Sequence, residues 1–511
     1  MPIVFLFAHN ISEQISLDPL LEPLGLSLLG AGILLAGLAL PAWLLRRAPE
    51  RAALLATLLI GLFFAYGHVW NAVGELLGSH RPLFLACGVV ALVGGFAALR
   101  APRRAVSNAT AGLNVIGVVL LVLNGVPVAD HQLRVAAAVA ARASPNPSAP
   151  EVLQAPERDV WYLVFDRYAG QPALSGIYGY DNSPFLDALR TRGFYVAEES
   201  TANYLKTAHS LASTLALDYL DPEALGREAV APGDWTPLYR ALQESYPLQR
   251  VLSDAGYAYL HLGLRRGPTF TNSEADQEFI YTGQTEFSAT LADTTMLIGL
   301  ERLLPAAGSG FEPGGTSGLY GLQTLYQLER LEEIARMGGG RKYVFAHLLL
   351  PHPPYLFNAD GSWATPEQAR ARTPHQNYVQ QLEFANARIL RLLDILLDGP
   401  RETWPIIVIQ ADEGPFPERY ERNEFAFRWL EATPAELLQK FSILNAILLP
   451  DATPEAAGLH PRITSVNTFR VVLNAEFGAD LPLLPDRNWV FPHQRDLYDL
   501  TDVTDRVPRS P

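Results

Sequence analysis

A single cysteine, Cys87, stands in the 511 residues, so the chain can form no internal disulfide and no thiolate zinc cluster. Basic residues are scarce as well. The 39 Lys and Arg face 53 Asp and Glu, and a net charge of −14 argues against nucleic acid as a partner. No GxxxxGK[ST] or GxGxxG loop is present to cradle a nucleotide, and no internal repeat is apparent. What the chain has in quantity is apolar sequence, concentrated in its first 130 residues.

Four segments there approach the roughly 20 apolar residues that cross a bilayer: Leu24–Leu45, Ala52–Val73, Leu83–Leu99 and Leu113–Val128. Arg46, Arg47 and Arg51 separate the first pair, and Arg100, Arg103 and Arg104 the last. Only Arg81 lies in the middle connection. Arg-rich loops stay cytoplasmic, so an even number of spans sends the C-terminal part outside. The opening "MPIVFLFAHNISEQ" is too short to span and lacks the basic region of a signal peptide, which suits an interfacial segment or the tail of a helix begun upstream. His68, near the outer end of the second span, reads as a functional intramembrane group or as an interfacial residue.

Residues 134–157 are rich in Ala, Pro and Ser, as in a tether. The expected organisation is a membrane domain over 1–130, a linker over 131–157 and a globular domain over 158–511. In that last part short apolar runs alternate with helical patterns: "VWYLVF" (160–165), "FYVAEE" (194–199), "YAYLHLGL" (257–264), "KYVFAHLLL" (342–350), "PIIVIQA" (405–411) and "SILNAILL" (442–449). Such alternation predicts an α/β domain, mostly parallel sheet with helices on both faces. Ligands of such folds bind beyond the carboxyl ends of the strands.

Three of those ends carry chemistry. Asp166 follows the first run, His352 sits in "PHPPY" after the fourth, and Asp412 and Glu413 follow "PIIVIQA". Two adjacent carboxylates repel each other and resist burial. They mark either a solvated turn or a site where a cation offsets the repulsion. Thr207 precedes a helical pattern through Leu211, Leu215 and Tyr219, where it serves as an N-cap or as a hydroxyl beside an anion-stabilising helix start. His347, inside a strand, reads as a core histidine. Lys206, a candidate substrate-binding cation, stands beside Thr207 and would lower the pKa of its hydroxyl if the two side chains faced the same way, which adjacency does not require; Arg265–Arg266 reads either as a grip on an anionic substrate or as a solvated pair.

Taken in order, Asp after the first strand, Thr opening a helix, the mid-domain "LLPHPP" and the late Asp-X-Gly-Pro resemble the alkaline phosphatase superfamily, sulfatase-like branch. The likeness covers about 156–500 and is nearest to bacterial multi-pass membrane members related to lipoteichoic acid synthases and phosphoethanolamine transferases. It implies Asp166 and Asp412 as metal ligands, Thr207 as nucleophile and ligand, and His352 as a contact to the phosphate or sulfate oxygens of the substrate. Where the family has Asp-His-Gly this chain has Asp412-Glu413-Gly414, so Glu413 becomes the remaining ligand. The resulting all-oxygen shell suits one Mn²⁺, Mg²⁺ or Ca²⁺ rather than Zn²⁺. A formylglycine sulfatase is disfavoured: the one Cys is in a membrane segment, and "SYPLQR" (Ser245–Arg250) has its Arg one residue late for C/S-x-P-x-R.

Three functions compete at this point. One is a membrane-anchored phosphoester transferase or hydrolase acting on envelope lipid or glycan. The others are a binding protein whose metal site decayed when His became Glu, and a sulfoester hydrolase with an unmodified Thr.

Overall fold

The computed structural model describes residues 2–13, 17–44, 49–140, 150–264, 267–281, 286–303 and 315–508. They fall into two units, 1–136 with 283–319, and 137–282 with 320–511.

In the first unit four helices, α1 (Asp18–Leu44), α2 (Pro49–Leu77), α3 (His80–Arg100) and α4 (Arg103–Ala140), are long and apolar enough to cross a membrane. Leu28, Ile33, Leu85 and Leu92 are exposed on them, a surface that water penalises and lipid does not. The helix α4 runs past the last apolar stretch into the expected tether, because "RVAAAVA" is strongly helix-forming. A short helix at Pro2–His9 packs Ile3 and Phe7 against Leu20, Val128 and Leu291. The last of these belongs to 286–303, a stretch that groups with the N-terminal helices although it lies far along the chain. Arg46 and Arg47 lie outside the described residues.

The second unit is built on a seven-stranded sheet of order β2-β7-β6-β1-β5-β3-β4. The strands are β1 (Val160–Phe165), β2 (Tyr195–Val196), β3 (Ala258–Leu262), β4 (Gln277–Glu278), β5 (Lys342–Leu348), β6 (Ile406–Gln410) and β7 (Asn445–Leu448). From β6 to β4 all pairings are parallel, while β7 and β2 pair antiparallel at one edge. Every residue of β1 is buried, as expected of a central strand covered on both faces. Alternate residues serve opposite layers. Trp161, Leu163 and Phe165 join the core with Leu328 and Leu331 of α6 (Gly315–Arg336) and Leu382 and Leu393 of α7 (Pro374–Leu396). Tyr162, pointing the other way, meets the ring of Phe469 on a C-terminal helix (Ser465–Phe477) edge-on at 4.8 Å. The mostly parallel sheet between helices is the fold that the alternation predicts.

A candidate metal and nucleophile site

Strand order brings the site together. β1 lies between β5 and β6, with Val164 level with both His347 and Gln410. The first residue beyond β1, Asp166, therefore shares one end of the sheet with His347 of β5 and with Asp412 just beyond β6. Asp166, His347 and Asp412 each offer a ligand atom within 4.8 Å of the other two, and all three are buried. His347 Nε2 lies 3.7 Å from Asp166 Oδ2. Burial pushes the His347 imidazole down to about 3, so it stays neutral, the form that ligates metals. Burial raises the Asp166 carboxyl well above its usual range, and the neighbouring Asp412 adds to the rise. Asp412 is raised by burial too, although the Thr207 hydroxyl, Lys440 and backbone N–H groups pull it back.

Thr207 is the first residue of α5 (Thr207–Ala216), and Lys206 occupies the capping position in extended conformation with no side-chain cap bond. Its hydroxyl is thus not spent as an N-cap. It lies against Asp412 instead.

Glu413 is placed differently. Its Oε1 is 2.9 Å from Lys440 Nζ and 3.3 Å from Arg167 Nε, and it does not join the three-ligand group. An ammonium has three donors. Lys440 directs one at Glu413 and one at the carbonyl of Gly414 (2.7 Å), and its ammonium stands 3.4 Å from the centre of the Phe416 ring. Burial lowers it to about 7, against the pull of Glu413. Gly414 is required for this approach, since a Cβ there would stand 2.3 Å from the Gln439 carbonyl. Arg167 and Lys206 flank the same ring at 4.3 and 4.2 Å, so three cations surround Phe416 beside the carboxylates. The Lys206 ammonium also donates to Tyr420 Oη. Arg167 holds a left-handed conformation (φ 60°), uncommon for a side chain of its size. That turn aims its N–H at Asp412 Oδ1 (3.3 Å), and Tyr378 Oη pins it by donating to the Arg167 carbonyl. His352, half-buried, is held far below its ordinary value by burial and by Arg167, and its Nδ1 contacts the Pro353 carbonyl. Arg265 lies outside the described residues.

The sequence reads His347 as a core histidine and gives Arg167 and Lys440 no site role. A lone histidine in a buried run carries no mark of its neighbour across the sheet; the spacing of His347 and His352 around "LLLP" was the available signal.

No family model and no curated protein matches this chain. Among solved structures it is similar to the C-terminal periplasmic domain of EcEptC from Escherichia coli (14% identity, 72% of this chain and 98% of that one, TM-score 0.43). It is also similar to the integral membrane lipooligosaccharide phosphoethanolamine transferase A from Neisseria meningitidis (13%, 77% and 69%, 0.40). A protein in the alkaline phosphatase superfamily from Vibrio parahaemolyticus is a third (13%, 70% and 80%, 0.40).

Proposed function

We propose that the protein is a membrane-anchored, metal-dependent phosphoester transferase or hydrolase that works through the Thr207 hydroxyl on an envelope lipid or glycan. The observation that carries this is a set of orphaned buried atoms. Asp166 Oδ1, Asp412 Oδ2 and His347 Nε2 make no well-formed hydrogen bond to any described residue. Leaving such groups buried and unpaired is costly, and a divalent cation among them removes the cost. Two carboxylates, one imidazole and the Thr207 oxygen fit Zn²⁺ or Mn²⁺ better than Mg²⁺ or Ca²⁺, because a nitrogen ligand replaces the Glu413 oxygen of the all-oxygen set.

Bound there, the cation supplies charge stabilisation to a hydroxyl oxygen losing its proton and to phosphoryl oxygens. Asp412 orients the Thr207 hydroxyl, and the unpaired N–H groups of the helix start stabilise negative charge beside it. Thr207 Oγ1 attacks phosphorus, the bond to the donor alcohol breaks, and water or a sugar hydroxyl then takes the phosphoryl group from Thr207. Arg167, with its side chain 15% exposed, faces the substrate phosphate, whereas Lys440 is committed to the protein and serves as a countercharge.

Full-length protein in detergent should contain about one divalent ion per chain and release alcohol from a phosphodiester such as bis-nitrophenyl phosphate, faster than sulfate from an aryl sulfate. Protein that takes up no divalent ion and turns over no phosphoester supports the rival reading, a binding domain in which Lys440 and Arg167 neutralise Glu413. Preferred release of sulfate supports the sulfoester hydrolase.

A further inference from the structure

A chain of buried hydrogen bonds leads away from the site through the loop after β3. His347 Nδ1 lies 2.8 Å from Thr269 Oγ1, which also accepts from the backbone N–H of Leu264 at 3.4 Å. The carbonyl of the same threonine lies 3.0 Å from His261 Nε2, and His261 Nδ1 lies 2.8 Å from Tyr259 Oη. A carbonyl only accepts, so His261 Nε2 carries the proton and its Nδ1 accepts from Tyr259. This locks His261 and, through it, the position of Thr269, which is itself 2% exposed. The loop is pressed close. A Cβ on Gly263 would sit 1.5 Å from the Thr269 carbonyl, and the Gly263 carbonyl is clamped by Gln323 and Gln327 of α6. Gln327 also donates to the His347 carbonyl at 2.8 Å, so the same helix steadies both partners.

We propose that Thr269 is a positioning residue for the metal site: its hydroxyl accepts the Nδ1–H of His347 and thereby presents the bare Nε2 toward Asp166 and Asp412. This rests on the reading of His347 as a ligand. A ligating imidazole needs its other nitrogen tied to an acceptor that fixes tautomer and ring angle, and losing such a partner typically costs roughly 10–100-fold in metal affinity. The threonine does this from a loop remote in sequence from every proposed ligand.

The test is Mn²⁺ binding by equilibrium dialysis of the detergent-solubilised full chain, alongside thermal unfolding without metal. Thr269→Val keeps the shape and removes the acceptor; it should weaken Mn²⁺ binding roughly 10–100-fold. Thr269→Ser should restore it to within a few-fold of the parent, because the hydroxyl returns. Gly263→Ala, which displaces the Thr269 carbonyl, should weaken binding without touching a ligand. His347→Ala separates the two readings. If it binds Mn²⁺ as the parent does, His347 is no ligand and both readings fall. If it loses Mn²⁺ while Thr269→Val binds as the parent does, only the positioning role is overturned. Should Thr269→Val unfold, Thr269→Ser decides alone: loss of Mn²⁺ binding in a folded Ser variant refutes the role of the hydroxyl, and retention supports it.

Discussion

Lys440 Nζ and Glu413 Oε1 meet at 2.9 Å with both side chains out of solvent. Breaking a buried pair by removing one member strands the other charge, at a cost of about 3–5 kcal/mol, whereas removing both is close to neutral. Lys440→Met should therefore lower the unfolding midpoint sharply, and Lys440→Met with Glu413→Gln should recover most of the loss. Additive losses in denaturant titrations of the three variants would show that the two groups are not coupled in the folded state.

Thr207→Ala should lower phosphoester turnover by roughly 10³-fold or more while leaving fold and membrane insertion intact, since no other hydroxyl is proposed for the attack. Thr207→Ser keeps the oxygen and should retain measurable turnover. Acid quench of the parent with a phosphoester donor, followed by peptide mass spectrometry, should find the adduct on Thr207. Unchanged turnover in Thr207→Ala removes Thr207 from the mechanism.

Asp412→Ala deletes a ligand and the partner of the Thr207 hydroxyl together. Metal analysis of that variant should show the ion lost, and Asp166→Ala should behave alike. Glu413→Gln should keep its ion, because Glu413 is turned to Lys440 and Arg167. Loss of metal in Glu413→Gln at neutral pH, with the fold intact, would return Glu413 to the ligand set.

Much of this is legible in sequence because β1 and β6 are largely apolar, and carboxylates follow them at Asp166 and Asp412. The edge strands are not. β4 is the dipeptide Gln277–Glu278, exposed and without a hydrophobic signal, and it pairs only because β3 offers it a free edge. His347 becomes a site residue only through the register of β5 on β1, a relation between distant segments that local pattern does not carry. Lys440 sits late in the amphipathic helix Pro434–Phe441, where a lysine ordinarily reaches water; here it is buried at the back of the site. The grouping of 286–303 with the membrane helices is likewise a tertiary fact.

Stability should fall on the acid side. His209 is buried among Tyr204, Trp235 and Phe491, and burial lowers it to about 4 from an ordinary 6.5. The unfolded chain takes up the proton first, so the contribution is whole above about pH 6.5 and is lost as pH falls toward 4. The gap corresponds to roughly 3 kcal/mol. Unfolding midpoints of the parent should drop from pH 7 to pH 5, and His209→Asn should show a shallower drop. Parallel curves for the two proteins would count against it.

The orientation of the chain in the membrane rests on arginines and on one pair of hydrogen bonds. Arg51, at the start of α2, donates to the carbonyls of Leu99 and Ala101, where α3 ends. A cation there also meets the negative end of the α3 dipole. These bonds place the ends of α2 and α3 that carry Arg51 and Arg100 on one side, with Arg103 and Arg104 opening α4 just beyond. Positive charge keeps that side cytoplasmic. The residues 286–303, which interrupt the chain between β4 and α6, bond to the middle of α2: Gly67 N–H to the Thr294 carbonyl, and Met296 N–H to the Phe63 carbonyl. A tag placed after Pro511 should therefore be cleaved by protease added to intact spheroplasts. A tag placed between Arg103 and Arg104 should be cleaved only after lysis. The reverse pattern would invert the membrane assignment and remove envelope substrates from consideration.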